Sequence, residues 1–309
     1  MRLNPILKKE LQLGSRSVKL PLALMLYNVV LSIIVVSVLA GISFSSLDGG
    51  GVNFKILITL FPIITWVQCL FILLIIPIIT AGSIAGERER QTLDIMLTTP
   101  VSLKRIVRGK LMASISTILM FVISSVPVMA MAFFLGGMNW FALLGFIGII
   151  IVISINVGSI GIFCSSLFKK TILSIVVTFI IEAAILIAPL MLTGIVVTGM
   201  SIVQNVASNG YVTDYYYGMA PFLMIGSPIV MFFDYIQYVM QYPTLGELFG
   251  KSTKTFGVVL PVISKVWVPI AVVVNLAISW LFLKLAEMKL NPLKKSRKEK
   301  AVARKEGEQ

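Results

Sequence analysis

The chain has 309 residues and a net charge of +13; 58% of its residues are hydrophobic, 13% are charged, and the mean hydropathy is +0.99. A soluble domain has about 45–50% apolar and about 25% charged residues, so a water-soluble globular fold is excluded. Several uncharged runs exceed about 20 residues, the length that crosses a hydrocarbon core of roughly 30 Å. The composition therefore predicts an all-α polytopic membrane protein.

An enzyme is not expected, because the sequence contains no histidine. This excludes HExxH zinc sites and Ser-His-Asp triads, which both need imidazole. Cys69 and Cys164 lie inside apolar segments, where inert thiols are expected. The run Gly246–Ser252 looks like a phosphate-binding loop but has three residues between its glycines where four are needed. We expect no catalytic residue, no metal site and no cofactor bound by this chain.

The first 19 residues are basic and amphipathic. Asn4 and Pro5 suit the cap and the first position of a helix. One face of that helix would carry Ile6, Leu7, Glu10 and Leu11, with Glu10 inside the apolar arc. This pattern predicts a cytoplasmic helix lying in the plane of the lipid headgroups. A solvated basic tail is the alternative.

Six apolar segments predict six transmembrane helices, at residues 20–43, 56–84, 111–135, 141–163, 171–198 and 266–285. They form one domain over residues 20–286, and a basic tail follows at 287–309. With a cytoplasmic N-terminus, 22 of the 26 lysines and arginines fall on the cytoplasmic side. That distribution agrees with the excess of Lys and Arg in cytoplasmic loops of membrane proteins. Both termini are therefore predicted to be cytoplasmic.

The outer loop between spans five and six, residues 199–260, contains an apolar stretch at 219–240. A single crossing by this stretch would place the basic tail outside the cell. The stretch is therefore predicted to enter and leave on the outer side, as a re-entrant pair or an interfacial helix broken at Gly226-Ser227-Pro228. A plain extracytoplasmic lid is the alternative.

The segment between spans two and three, residues 85–110, is unusually patterned. It begins with four consecutive charges, and a stripe formed by Leu93, Met96 and Leu97 then ends at Pro100. Ser102 can cap a second helix whose stripe contains Leu103, Ile106 and Val107. Arg105, Arg108 and Lys110 are expected near the inner headgroups. At the end of span two, Gly82 and Gly86 form a small-xxx-small pair that allows close helix approach.

This segment resembles the signature of ABC-2 type permeases. The resemblance rests on the runs Ala85–Asp94, Leu97–Pro100 and Gly109–Lys110, and it extends over the whole chain: amphipathic N-terminal helix, six spans, and the signature between spans two and three. Gln91 stands where the signature has glycine, and Asp94 where it has glutamate.

The resemblance implies a permease subunit of an ATP-driven exporter in a bacterial plasma membrane. Such a permease dimerises with the same or a related chain and binds two cytoplasmic ATPase subunits, which hold the ATP and Mg²⁺. The segment at 85–110 would be the coupling element in a groove of the ATPase. The implied contact residues are Glu87, Arg88, Glu89, Arg90, Thr92, Leu93, Asp94, Met96, Leu97 and Pro100.

Charge-assisted pairs and an apolar anchor suit such a protein contact. A solvated connector without a partner is the alternative for this segment. For the whole chain the alternatives are a secondary transporter and a non-transporting ABC partner that relays force. The absence of inverted repeats and the modest, apolar outer loop disfavour them.

Glu182 is the strongest candidate for the transport pathway, because it is the acidic residue deep within a span. About 18 Å of helix separates it from Lys170, which places it near the middle of the membrane. Thr65, Trp66 and Gln68 on span two are weaker candidates. A structural pairing of Glu182 with Asn156 or Asn275 is the alternative.

Overall fold

The computed structural model describes residues 18–47, 59–92, 103–136, 140–208, 220–245 and 266–290, together with Gln12. In these ranges the protein has seven α-helices, one 3-10 helix and no strand. The 3-10 helix is Ala220–Gly226, and the α-helices are α1 (Lys19–Leu47), α2 (Leu60–Glu89), α3 (Leu103–Gly136), α4 (Trp140–Leu167), α5 (Thr171–Ala207), α6 (Pro228–Val239) and α7 (Trp267–Leu290). The helix predicted around Ile6, Leu7, Glu10 and Leu11 lies outside the described residues.

Every helix except α6 is long and apolar enough to cross a membrane. This confirms the predicted all-α architecture with six spans. The helices extend beyond the predicted spans at the ends that face residues 85–110, because α2 continues to Glu89 and α3 already begins at Leu103. α5 likewise runs to Ala207 and α7 to Leu290, beyond the predicted ends at 198 and 285. Apolar content marks where a helix leaves hydrocarbon, whereas backbone hydrogen bonding continues into the polar zone.

The centre of the bundle is formed by α2 and α4. Half of the apolar window of each is buried, against 17% for α1 and α7 and 11% for α5. The main core contains large side chains from α1 to α4 and from α6, including Tyr27, Phe61, Phe146 and Phe232. The apolar faces of α1, α5 and α7 thus lie largely open for lipid or for another chain.

Polar side chains link the spans in pairs. Asn28 on α1 donates to Ser124 on α3 at 3.0 Å, and Gln68 on α2 donates to Ser125 on α3 at 2.7 Å. The fully buried Asn156 on α4 donates to the carbonyl oxygen and to Oδ1 of Asn275 on α7, at 3.1 and 3.2 Å. Within hydrocarbon such bonds each contribute about 0.6–2 kcal/mol and fix which helix faces meet.

The segment at 220–239 turns back inside the bundle. Near its start, the Ala220 carbonyl lies 3.4 Å from Thr193 Oγ1, whereas Ser227 Oγ donates to the Leu186 carbonyl at 3.2 Å. Seven residues of α5 separate those two contacts, so the chain moves about 10 Å along α5. The break predicted at Gly226-Ser227-Pro228 is confirmed, because the 3-10 helix ends at Gly226 and α6 begins at Pro228.

From that break, α6 returns toward the start of α4. Phe232 packs edge-on against Trp66, with ring centroids 5.0 Å apart, and also contacts Phe146. One turn later the Tyr235 hydroxyl donates to the carbonyl of Ala142. Since α4 begins at the end of the bundle where α5 ends, α6 leads back toward that end. The choice between a re-entrant pair and an interfacial helix stays a prediction.

Candidate functional site

The end of α2 is closed by a Schellman motif at the signature residues. The N–H of Thr92 donates to the Glu87 carbonyl at 2.9 Å, and the N–H of Gln91 donates to the Arg88 carbonyl at 3.1 Å. The motif needs a left-handed residue after the cap, and Gln91 supplies it with φ of 58°. Gln91 is the position where the signature has glycine, which fits this conformation without strain. The departure from the signature therefore changes the energy of the turn and leaves its shape intact.

Gln91→Gly is expected to stabilise the chain by about 0.5–1 kcal/mol, because an L-residue in the left-handed region costs roughly 1–2 kcal/mol and part of that gain is offset by the entropy of glycine. Thermal unfolding of the purified protein in detergent measures the change. Gln241, with φ of 57° after α6, offers a matched control. Gln241→Gly should shift stability in the same direction, and Gln91→Val in the opposite one. A lower melting temperature for Gln91→Gly would contradict the assignment.

A buried ion pair joins α2 to α3. Lys110 Nζ lies 2.9 Å from Glu87 Oε1 and also donates to the Ser83 carbonyl at 2.8 Å. The side chain of Lys110 is 2% exposed and that of Glu87 is 23% exposed. Lys110 thus contacts α2, and its position near the inner headgroups stays a prediction. Its position on α3 points toward α2, where a carboxylate and a carbonyl compensate the buried ammonium.

The next two charges of the signature hold the turn between α4 and α5. Arg88 donates to the carbonyls of Ser166 and Phe168 at 3.3 and 3.1 Å, at the end of α4. Glu89 Oε2 accepts the N–H and hydroxyl of Thr171 at 3.1 and 2.6 Å, at the start of α5. A cation thus binds the carbonyl end of one helix and an anion caps the amide end of the next, as helix dipoles favour.

We call the group formed by Glu87, Arg88, Glu89, Lys110 and Thr171 the α2 junction. Sequence reasoning assigned the four consecutive charges to contacts with a partner protein. In the structure Glu87, Arg88 and Glu89 contact other helices of the same chain, whereas the side chain of Arg90 is exposed. The structure also places Thr92 on the surface. The predicted contact residues Leu93, Asp94, Met96, Leu97 and Pro100 lie outside the described residues.

Small residues bring the helices of the α2 junction close together. A Cβ added at Gly82 or Gly86 would meet the Thr171 side chain at 3.4 or 3.6 Å, so the predicted small-xxx-small pair faces the start of α5. Ser165 Oγ on α4 accepts the N–H groups of Ile84 and Ala85 at 2.9 and 2.8 Å. Sequence reasoning missed Ser165 and Thr171. The abundance of Gly and Ser in VGSIGIFCSS, residues 157–166, was the available signal.

Glu182 lies within the chain, with 4% of its surface exposed. Neither carboxylate oxygen has a hydrogen-bond partner among the described residues. The alternative pairing with Asn156 or Asn275 is wrong, because each amide donates elsewhere: Asn156 to Asn275, and Asn275 to the carbonyls of Ala271 and Ile225. Glu182 is thus a buried acid without a structural counterpart in the described bundle.

The other pathway candidates have structural contacts. Gln68 is fully buried and bonded to Ser125, and the Thr65 hydroxyl donates to the Phe61 carbonyl of its own helix at 2.9 Å. Trp66 is half-buried against Phe232 and Phe233 of α6. Neither the cleft between α3 and α7 nor the groove along α1 is lined by any of these three side chains or by Glu182.

An all-helical bundle of six long apolar helices, with a charged junction at the end of the second, defines a multi-pass membrane protein. A family model described as "ABC-2 family transporter protein" matches residues 6–286. The chain belongs to this family of ABC transporter permeases. A search of curated proteins found no match.

Proposed function

We propose that the chain is the permease subunit of an ATP-driven exporter, coupled to a separate cytoplasmic ATPase through the segment between α2 and α3. Family membership supports the permease role. The observation that carries the coupling is the α2 junction, where the signature residues are bonded to α3, α4 and α5 at one place. The distribution of Lys and Arg favours a cytoplasmic location for this junction.

The α2 junction connects the segment between α2 and α3 directly to the spans, so that a displacement of this segment by the ATPase is transmitted to them. A push on residues 90–102 acts on the end of α2 and on the start of α3, which the Glu87–Lys110 pair already ties together. Through Arg88 and Glu89 the same push reaches the end of α4 and the first residue of α5. Four helices therefore respond as a unit, which is what conversion of ATPase closure into movement of the spans requires.

Arg90→Glu tests the docking contact without disturbing the junction, because the side chain of Arg90 is exposed. The tagged chain is purified together with the subunit that carries a Walker-type ATP-binding sequence, and ATP hydrolysis by the reconstituted complex is measured. Arg90→Glu is expected to weaken subunit retention by about tenfold, since it replaces an attraction by a like-charge repulsion at a protein contact.

Lys169→Glu is the matched control, because Lys169 is an exposed cation on the neighbouring α4–α5 turn. It should leave retention and hydrolysis within about twofold of the unchanged protein, as expected for surface charges outside a contact. The coupling proposal fails if Arg90→Glu retains the subunit and hydrolyses ATP normally. Isolation of the chain without any ATP-binding subunit would remove the whole proposal.

The complex is proposed to contain a second permease subunit, of the same or a related chain. The largely uncovered face of α5, which includes Ile180, Ile187 and Ile195, is the proposed contact. ATP and Mg²⁺ are proposed to lie on the ATPase subunits. The mass of the purified complex tests this arrangement directly, since a single permease per complex would contradict it.

Glu182 is proposed to act in the transport pathway. A buried carboxyl without a partner has a high free energy in a bundle at rest, and a conformational change that hydrates it or gives it a partner relieves that cost. Glu182→Gln is therefore expected to alter ATP hydrolysis by the reconstituted complex while preserving its assembly. Unchanged hydrolysis and unchanged transport in that variant would contradict the role.

A further inference from the structure

A cleft of about 750 Å³ lies between the start of α3 and the last part of α7. Its rim carries three cations, Lys104 and Arg108 from α3 and Lys284 from α7, together with one anion, Glu287. Its wall is apolar and consists of side chains from α3, α4 and α7: Leu103, Ile155, Leu276, Trp280, Leu283 and Met288. The cleft therefore joins a net positive mouth to a hydrocarbon-like wall.

The length of the cleft corresponds to one leaflet of a bilayer. Met288 and Leu276 are twelve residues apart on α7, which is about 18 Å along the helix. Half of a hydrocarbon core of roughly 30 Å is about 15 Å. The cations lie at the end of the cleft that faces the polar zone. This end is formed by the first residues of α3 and the last two turns of α7.

The rim cations are open to a ligand. Lys104, Arg108 and Lys284 are exposed and make no salt bridge within the described ranges. Lys284 Nζ lies 4.8 Å from the centroid of the Trp280 ring, so its ammonium lies directly above the apolar wall. A cation–π contact of this kind attracts an ammonium group to the face of an aromatic ring at the edge of an apolar surface. Trp280 itself suits the headgroup boundary, where amphipathic rings collect.

We propose that this cleft binds an anionic phospholipid. The phosphate would meet Arg108, Lys104 and Lys284, and one acyl chain would lie along Trp280, Leu276 and Ile155. Basic pockets between transmembrane helices on the cytoplasmic side are suited to such headgroups. The lipid proposal depends on the proposed function in one respect. The cytoplasmic location of this end of the bundle places the lipid in the inner leaflet.

Native mass spectrometry of the full chain in detergent, titrated with palmitoyl-oleoyl phosphatidylglycerol, tests the proposal. Arg108→Gln/Lys284→Gln is expected to weaken lipid binding roughly 10- to 30-fold. Arg105→Gln/Lys289→Gln is the matched control, because it removes the same charge from exposed positions of the same helices outside the cleft. The control should change the affinity less than twofold. Equal losses in the two double variants would show non-specific attraction and overturn the site.

Two further measurements distinguish a bound phospholipid from a bound free phosphate. Leu276→Trp fills the apolar wall and keeps every cation, so it should lower phosphatidylglycerol affinity about tenfold. Phosphatidylcholine with the same acyl chains should bind at least tenfold more weakly to the unchanged protein. Displacement of the lipid by glycerol phosphate at equal concentration would overturn the lipid assignment, as would full binding to the Leu276→Trp variant. None of these measurements needs an ATPase, so their failure is distinct from failure of the proposed function.

Discussion

Glu87→Gln is expected to destabilise the folded chain by about 3 kcal/mol, one of the largest effects of a single substitution in this protein. The change removes the carboxylate that lies 2.9 Å from the ammonium of Lys110, whose side chain is 2% exposed. Removal of one partner from a buried ion pair typically costs about 3–5 kcal/mol, and the partial exposure of Glu87 places this pair at the lower limit. The carbonyl of Ser83 remains, but a neutral acceptor compensates only part of the charge.

Thermal unfolding in detergent measures this loss, and two variants identify its origin. Glu87→Gln/Lys110→Met removes both charges and should recover most of the stability, because no buried ammonium then faces a neutral amide. Glu89→Gln weakens an exposed helix cap and is expected to cost clearly less than Glu87→Gln. If the double variant were no more stable than Glu87→Gln, the pair would not be the source of the effect.

Gly161→Ala is expected to separate the two central helices and to cost about 3 kcal/mol. A Cβ at Gly161 would overlap Thr80 Oγ1, lie 2.8 Å from Thr80 Cβ and lie 3.2 Å from the backbone nitrogen of Ala81. Rotation of the Thr80 side chain would move Oγ1, but Thr80 Cβ and the backbone nitrogen of Ala81 would stay in place, so rotation alone cannot make room. Overpacking in a dense core typically costs about 1–3 kcal/mol, and here α2 and α4 must move apart.

Gly148→Ala on the same helix is the control for this substitution, because nothing lies within 4 Å of a Cβ at that position. It should be neutral or slightly stabilising, since alanine favours a helix more than glycine does. Thr80→Ala in the Gly161→Ala background removes Oγ1 and should recover part of the loss. Equal melting temperatures for the Gly161→Ala and Gly148→Ala proteins would show that the helices are not in close contact there.

Much of the fold could be predicted from the sequence because apolar length and charge sidedness are strong signals. The six spans and the break at Gly226-Ser227-Pro228 follow from them. The partners of the charges could not be predicted in this way. A run such as Glu87 to Arg90 looks the same whether its side chains bind a second protein or the ends of neighbouring helices. Only the packing of α4 and α5 against α2 brings the carbonyl of Phe168 and the N–H of Thr171 within reach.

The depth of individual side chains was equally inaccessible to pattern analysis. A position near the headgroups, as predicted for Lys110, does not specify which neighbour the side chain contacts. Its register on α3 turns it toward Ser83 and Glu87. Gln68 was a pathway candidate because it is polar within a span, yet it bonds to Ser125 between two helices. Polarity within a span identifies a residue that needs a partner, and tertiary packing decides which partner it has.

The inserted segment at 220–239 also affects how α5 can bend. Pro189 stands at the midpoint of this 37-residue helix and removes one backbone hydrogen bond, which makes the midpoint its most compliant place. The segment contacts Leu186 and Thr193, which lie on either side of Pro189, and so it bridges the proline position. A change in the helix angle at Pro189 therefore changes the lengths of those two contacts. The resistance of α5 to bending thus depends on residues 220–227, which lie outside the helix.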